Sequence, residues 1–98
     1  MTDRLTVIAN FEALPGKEEK LKQIMIDLKR DSPAEAGCRF FELLQNETTP
    51  SSFTFIEEWD SKEHFDANLN ANHLKEAKST MAGVLQGAHD VRVYKVVE

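Results

Sequence analysis

The chain has 98 residues, of which 41% are hydrophobic and 30% are charged, and its formal net charge is −5. This length predicts one domain over residues 1–98, with little room for a second core. The scattered basic residues argue against a nucleic-acid partner, because phosphate binding needs clustered Lys and Arg. One cysteine and short apolar runs argue against a disulfide framework and a membrane span, and favour a cytoplasmic protein.

The first third of the chain predicts a strand followed by a helix. Side chains alternate between apolar and polar over residues 5–13, which is typical of a strand, and Pro15-Gly16 ends it. Apolar residues then recur at helical spacing from Leu21 to Leu28. Ser32-Pro33 marks the end of this helix, because the residue before a proline is biased out of helical conformation.

Two further strands are predicted in the middle of the chain. A loop over residues 34–37 leads into a strand over 38–45, and a turn-rich connection over 46–52 leads into a strand over 53–59. The earlier strand has Phe40 and Leu44 on one face and Phe41 and Leu43 on the other. Both strands carry apolar residues on both faces, so we expect a sheet that is covered twice.

The last third predicts a broken helix and a final strand. Asp60 or Ser61 caps the helix, and Phe65 and Leu69 supply its apolar stripe. Asparagines over 68–72 predict a break, since Asn competes for local backbone hydrogen bonds. Helix resumes with Leu74, Ala77 and Met81 toward the core, a loop follows between Gly83 and Gly87, and valines alternate over 91–97 in the last strand.

The predicted order is β-α-β-β-α-β, an α+β arrangement of the ferredoxin-like, split βαβ type. Helices on one side of such a sheet leave Ile8, Ile56 and either Phe40 or Phe41 facing water on the other side. Packing two sheets face to face removes this exposure. We therefore expect a homodimer.

Trp59, His73 and Asn10 are the candidate catalytic residues. Trp59 ends a strand, and the helix that carries His73 can return over it to enclose a small pocket with one titratable group. Asn10 lies on the first strand, where it either enters an interior or bonds to a neighbouring loop.

One carboxylate of the Glu57-Glu58 pair must point inward, either into the pocket or into the dimer interface, because neighbouring strand residues face opposite sides. A buried carboxylate needs a partner, and we expect Arg39 or Arg92 to provide it. The three histidines lack the spacing of a metal site, and Cys38 is interpreted as a small core residue.

Three segments resemble a known family, and they stand in the family's order. Leu14-Pro15-Gly16-Lys17 is similar to the "xPGK" start of the first helix in antibiotic biosynthesis monooxygenase-like domains. Glu35-Ala36-Gly37-Cys38 with Phe41 is similar to their "ExGCxxF/Y" segment. Residues 57–61 with His73 resemble their "ExWxSxxxxxxHxxxxH" segment. Within the family, the sequence most resembles the quinol monooxygenase branch.

The resemblance implies a dimeric α+β barrel of ferredoxin-like protomers. It also implies one of several chemistries, namely cofactor-free oxidation of quinols or anthrones, isomerisation of a phosphorylated carbonyl compound, or haem degradation. Asn68 stands where many members carry a first His, which leaves one His with an amide neighbour. Lys78 stands where the haem-degrading branch has its iron ligand, so haem degradation is disfavoured.

The first functional hypothesis is a monooxygenase that needs no cofactor and acts on a small quinol or phenol with O2. His73 would be the base, Asn10 the orienting hydrogen-bond partner and Trp59 an apolar wall. The substrate-binding residues would be Asn68, Phe65, Phe55 and Met81. One alternative is a small-ligand-binding or stress-associated module without turnover; another is an isomerase of a phosphorylated carbonyl compound, with Lys75 and Lys78 as its cations.

Overall fold

The computed structural model describes residues 3–31 and 36–97. The elements in chain order are β1 (Leu5–Glu12), α1 (Glu18–Asp31), β2 (Cys38–Gln45), β3 (Ser52–Trp59), α2 (Lys62–Leu69), α3 (Asn72–Met81) and β4 (Asp90–Lys95). The predicted α+β ferredoxin-like class is confirmed. The predicted helix end at Ser32-Pro33 and the Glu35 of the second family segment lie outside the described residues. No helix in the described ranges is long and apolar enough to cross a membrane.

The four strands form one antiparallel sheet in the order β2-β3-β1-β4. Val7 of β1 lies opposite Glu57 of β3 and Val93 of β4. Because side chains alternate along a strand, this register puts Val7, Glu57 and Val93 on the same face of the sheet. That face is the one covered by helices, and alternate residues of β3 from Phe53 to Trp59 are buried on it.

The helices form where the sequence predicts them. α1 buries Leu21, Met25 and Leu28 against the sheet and has acidic residues in its first turn and basic residues in its last, which suits the helix dipole. Ser61 caps α2, since its hydroxyl accepts a hydrogen bond from the His64 N–H at 3.3 Å. The predicted break in the Asn-rich segment is confirmed, because α2 ends at Leu69 and α3 begins at Asn72.

The core consists of two apolar clusters on the helix-covered face. The larger cluster joins α1 to the sheet, and its fully buried members include Leu21, Met25, Phe53 and Phe55. A smaller cluster of Val7, Trp59 and Phe65 lies under α2. Burying one such side chain stabilises the fold by roughly 1.5–3 kcal/mol. The two clusters leave a gap between them, and this gap forms a cavity.

The opposite face of the sheet, called here the outer face, is covered by no element in the described part of the protomer. Its apolar residues are Ile8, Ile56, Phe40, Leu44 and Tyr94, and the last three are exposed at 48%, 42% and 45% of their surface. The expectation of a sheet covered twice is therefore not met within one protomer. The last strand also ends earlier than predicted, at Lys95, so that Val97 lies beyond it.

Candidate functional site

A cavity of about 210 Å³ lies between the helix-covered face of the sheet and helices α2 and α3. Most of its lining is apolar and comes from all parts of the fold; it includes Val7, Ala9, Phe11, Phe41, Phe55, Phe65, Leu74, Met81 and Val91. Four side chains with polar heads join this lining: Glu57, Asn68, Lys78 and His89. An apolar cavity with a few polar groups is the usual form of a small-molecule site.

Glu57 is the buried acid of this cavity. Strand alternation turns it inward between Phe55 and Trp59, and only 7% of its surface is exposed. The indole N–H of Trp59 donates a hydrogen bond to Glu57 Oε1 at 2.9 Å. Burial raises the pKa of the Glu57 carboxyl to about 7, because desolvation disfavours the charged form more than the Trp59 hydrogen bond stabilises it. The cavity thus contains a carboxyl that exchanges its proton near neutral pH.

Asn68 brings an unsatisfied amide to the same cavity. Its side chain is 4% exposed, and its Oδ1 has no hydrogen-bond partner within the part of the chain that the structure describes. Leaving a buried acceptor unpaired costs about 1–3 kcal/mol. A ligand O–H or N–H in the cavity would supply the missing donor, so the position of Asn68 is suited to a hydroxylated ligand.

Five of the seven predicted site residues lie at or beside this cavity. Phe55, Phe65, Asn68 and Met81 belong to its lining. Trp59 lies behind Glu57, fully buried, with its ring centroid 6.3 Å from that of Phe65. Trp59 therefore contacts the cavity through Glu57 and not as an exposed wall.

His73 and Asn10 lie elsewhere. His73 lines a separate surface groove between α3 and α1, together with Asp27 and Asp31. Asn10 is exposed on the outer face of the sheet, where its Oδ1 accepts a hydrogen bond from Thr54 Oγ1 at 2.7 Å. The structure does not bring these two residues together, and the catalytic roles predicted for them stay predictions.

The prediction that Arg39 or Arg92 pairs with the inward carboxylate is wrong. Arg39 pairs with Asp60 at 2.9 Å, and Arg92 pairs with Asp90 at 3.0 Å. The outward Glu58 pairs with Arg4 at 3.3 Å. Glu57 instead uses the indole of Trp59, two residues away on the same face of the same strand, which leaves its carboxyl without a cation to hold it ionised.

The model of the family described as "Antibiotic biosynthesis monooxygenase" matches residues 4–80 of the chain. The chain belongs to this family. The antibiotic biosynthesis monooxygenase segment therefore includes β1 through nearly all of α3, with Glu57 and Asn68 inside it. Met81, His89 and Val91 also line the cavity but come after the matched segment.

Solved structures share the fold over nearly their whole length. PA3566 from Pseudomonas aeruginosa is 28% identical with a TM-score of 0.92, over 100% of this chain and 98% of that one. SO0527 from Shewanella oneidensis is 24% identical with a TM-score of 0.90, over 96% and 91%. A protein from Nitrosomonas europaea is 18% identical with a TM-score of 0.93, over 99% and 93%. No curated protein matches this antibiotic biosynthesis monooxygenase family member in sequence.

Sequence reasoning missed His89, whose imidazole stacks on Phe11 with ring centroids 5.0 Å apart and planes at 14°. His89 lies in the loop before β4, where no periodic pattern predicts the direction of a side chain. The Glu57–Trp59 contact could have been found, since residues i and i+2 of a strand share a face. Over residues 3–31 and 36–97, no three His, Cys, Asp or Glu side chains are grouped to hold a metal ion.

Proposed function

We propose that the protein is a monooxygenase that oxidises a small, electron-rich phenol or quinol with O2 without a cofactor, and that Glu57 is its base. Membership of a monooxygenase family supports the general reaction class. The single observation that carries the proposal is the buried Glu57 carboxyl in an apolar cavity, with a pKa near 7. A general base is most effective when its pKa lies near the working pH.

Glu57 and Asn68 together suit a quinol. A quinol has two O–H donors, one for the Glu57 carboxylate and one for the unpaired Asn68 Oδ1. Trp59 is a positioning residue in this scheme, because its N–H fixes Oε1 of Glu57 and leaves Oε2 for the substrate. The cavity volume of about 210 Å³ suits one substituted ring, since a cavity of roughly 150 Å³ accepts benzene.

The reaction balances with the substrate as the only reductant. Glu57 removes the phenolic proton, and the resulting anion passes one electron to O2. The two radicals combine into a C–O bond at a ring carbon that bears hydrogen, and the proton held by Glu57 passes to the outer oxygen, which gives a ring hydroperoxide. Cleavage of its O–O bond with loss of water leaves a new carbonyl, so one oxygen atom enters the substrate and the other leaves as water. The apolar lining keeps bulk water away from the intermediate.

We also propose that the protein is a homodimer that packs its two outer faces together. The exposed Phe40, Leu44 and Tyr94 form an apolar surface that a soluble protomer would bury. Sheets packed face to face lie about 10 Å apart, which lets apolar side chains from both faces interdigitate. The dimer would leave the helix-covered cavity of each protomer accessible.

The proposal is tested by oxygen uptake with a panel of hydroquinones, corrected for oxidation without protein. Glu57→Gln should lower kcat about 10²-fold or more, because it keeps the shape of the side chain but removes the base. Glu58→Gln is the matched control, since the neighbouring carboxylate points to the outer face and pairs with Arg4. Equal rates for Glu57→Gln and the wild type would exclude Glu57 as the base.

A ligand-binding module without turnover is the second candidate, favoured by the amide at Asn68 where a second base would speed proton transfer. Tight binding of phenols with no oxygen uptake across the whole panel would establish it. The isomerase alternative has less support, because of its two candidate lysines only Lys78 lines the cavity.

A further inference from the structure

The polar side chains that line the cavity differ in burial from one part of it to another. Glu57 lies opposite Val7, and Phe11 is four residues further along β1, which separates the two positions by about 13 Å. Glu57 and Asn68 are buried, whereas Lys78 and His89 are exposed members of the same lining. One part of the cavity is thus buried, and another is open to solvent.

Lys78 lies toward the Phe11 part of the cavity. It precedes Met81 by less than one helical turn, and the carbonyl of Met81 accepts a hydrogen bond from the Leu85 N–H. The next N–H, that of Gln86, donates to the carbonyl of Glu12, the neighbour of Phe11 in β1. The C-terminal end of α3 is therefore fixed beside the end of β1 that carries Phe11 and its stacked His89.

The charge of Lys78 has no counterpart in the described structure. Lys78 forms no salt bridge with any described carboxylate, and among the described residues it is the only Lys or Arg in the cavity lining. Among the described residues, Glu57 is the only acid in the cavity lining, and no cation contributes to its pKa. A cation that lines an apolar cavity without a protein partner is placed to meet an anionic group of the ligand.

We infer that the natural ligand is an aromatic hydroxy acid, with its hydroxyl at Glu57 and its carboxylate at Lys78. The stacked rings of Phe11 and His89 form the aromatic wall beside the carboxylate. This inference rests on the proposed function of the cavity and narrows its substrate class. The net charge of −5 would repel an anionic ligand, and the positive charge of Lys78 at the opening offsets this repulsion locally.

The test is calorimetric binding of 4-hydroxyphenylacetate and its neutral amide, 4-hydroxyphenylacetamide, which share the ring and the hydroxyl. The wild type should bind the acid about fivefold more tightly than the amide, the gain expected of one exposed ion pair. Lys78→Gln should remove this preference, so that the acid and the amide bind with similar affinity. Lys75→Gln, on the same helix but outside the cavity lining, should retain it.

The inference is overturned if the amide binds as tightly as the acid, if neither binds at millimolar concentration, or if Lys75→Gln has the same effect as Lys78→Gln. Binding is measured without turnover, so the outcome is separate from that of the oxygen assay. A preference for the acid without oxygen uptake supports this inference and defeats the monooxygenase proposal. Oxygen uptake with neutral phenols, together with no preference for the acid, supports the monooxygenase proposal and overturns this inference.

Discussion

The stability of the protein should depend on pH through Glu57. The folded-state pKa of about 7 lies above the ordinary value of 4.5, so the folded protein holds a proton that the unfolded chain has already lost. The stabilisation from this proton is fully present below pH 4.5 and is lost as the pH rises through 7. Glu57→Gln mimics the protonated carboxyl and can still accept the Trp59 hydrogen bond, so it should escape this loss.

The magnitude follows from the pKa difference. The folded-state pKa of about 7 and the ordinary value of 4.5 differ by 2.5, which corresponds to roughly 3–4 kcal/mol over the whole window. Between pH 5 and pH 8 the wild type should lose roughly 2–3 kcal/mol that Glu57→Gln does not lose. Relative to the wild type, Glu57→Gln should therefore become more stable as the pH rises, although it replaces a residue of the segment that resembles the family.

The assay is urea unfolding of both proteins at pH 5, 6.5 and 8, at one protein concentration because dimerisation would shift the midpoint. Titrations elsewhere in the chain cancel in the difference between the two proteins. Glu58→Gln controls for the loss of one negative charge on the same strand. Parallel stability curves for Glu57→Gln and the wild type would refute the reasoning, since they would mean that Glu57 carries no raised pKa.

Three further predictions test other parts of the structure. Phe40→Glu should turn the proposed homodimer into a monomer by light scattering, because it puts a charge into the apolar outer face; a variant that stays dimeric would exclude that face as the interface. Asn68→Leu should raise the free energy of unfolding by about 1–3 kcal/mol and weaken phenol binding, and unchanged binding would remove Asn68 from the site. Gly37→Ala should lower thermal stability by about 1–3 kcal/mol, because φ is 82° and a Cβ would lie 2.3 Å from the His64 ring; an unchanged melting temperature would contradict this contact.

The order of elements was predictable because each carries its own local signal. Alternation, helical spacing and turn residues do not depend on distant contacts, so β1, α1 and the Asn-rich break between α2 and α3 follow from the sequence. The uncovered outer face could also be predicted from the sequence, since a split βαβ order puts both helical segments on one side of the sheet.

The face of Asn10 and the direction of His73 were not predictable in the same way. β1 carries apolar residues at both parities, with Val7 and Ala9 on one face and Ile8 on the other, so alternation alone cannot say which face the helices cover. The break after Leu69 resets the helical phase of α3, and that phase decides which face carries His73. The partner of Glu57 was not predicted, because charge complementarity favours an arginine beside a carboxylate. The partner in the structure is the indole N–H of Trp59 on the same strand.

The most direct test of Glu57 as the base is the pH dependence of kcat/KM for oxygen uptake with a hydroquinone from pH 5 to pH 9. For the wild type, kcat/KM should rise with pH to a plateau with an apparent pKa near 7, because the carboxylate is the active form. Glu57→Gln should lie about 10²-fold below it and lack this rise. A Glu57→Gln profile that matches the wild type, with activity lost in His73→Ala instead, would contradict the assignment.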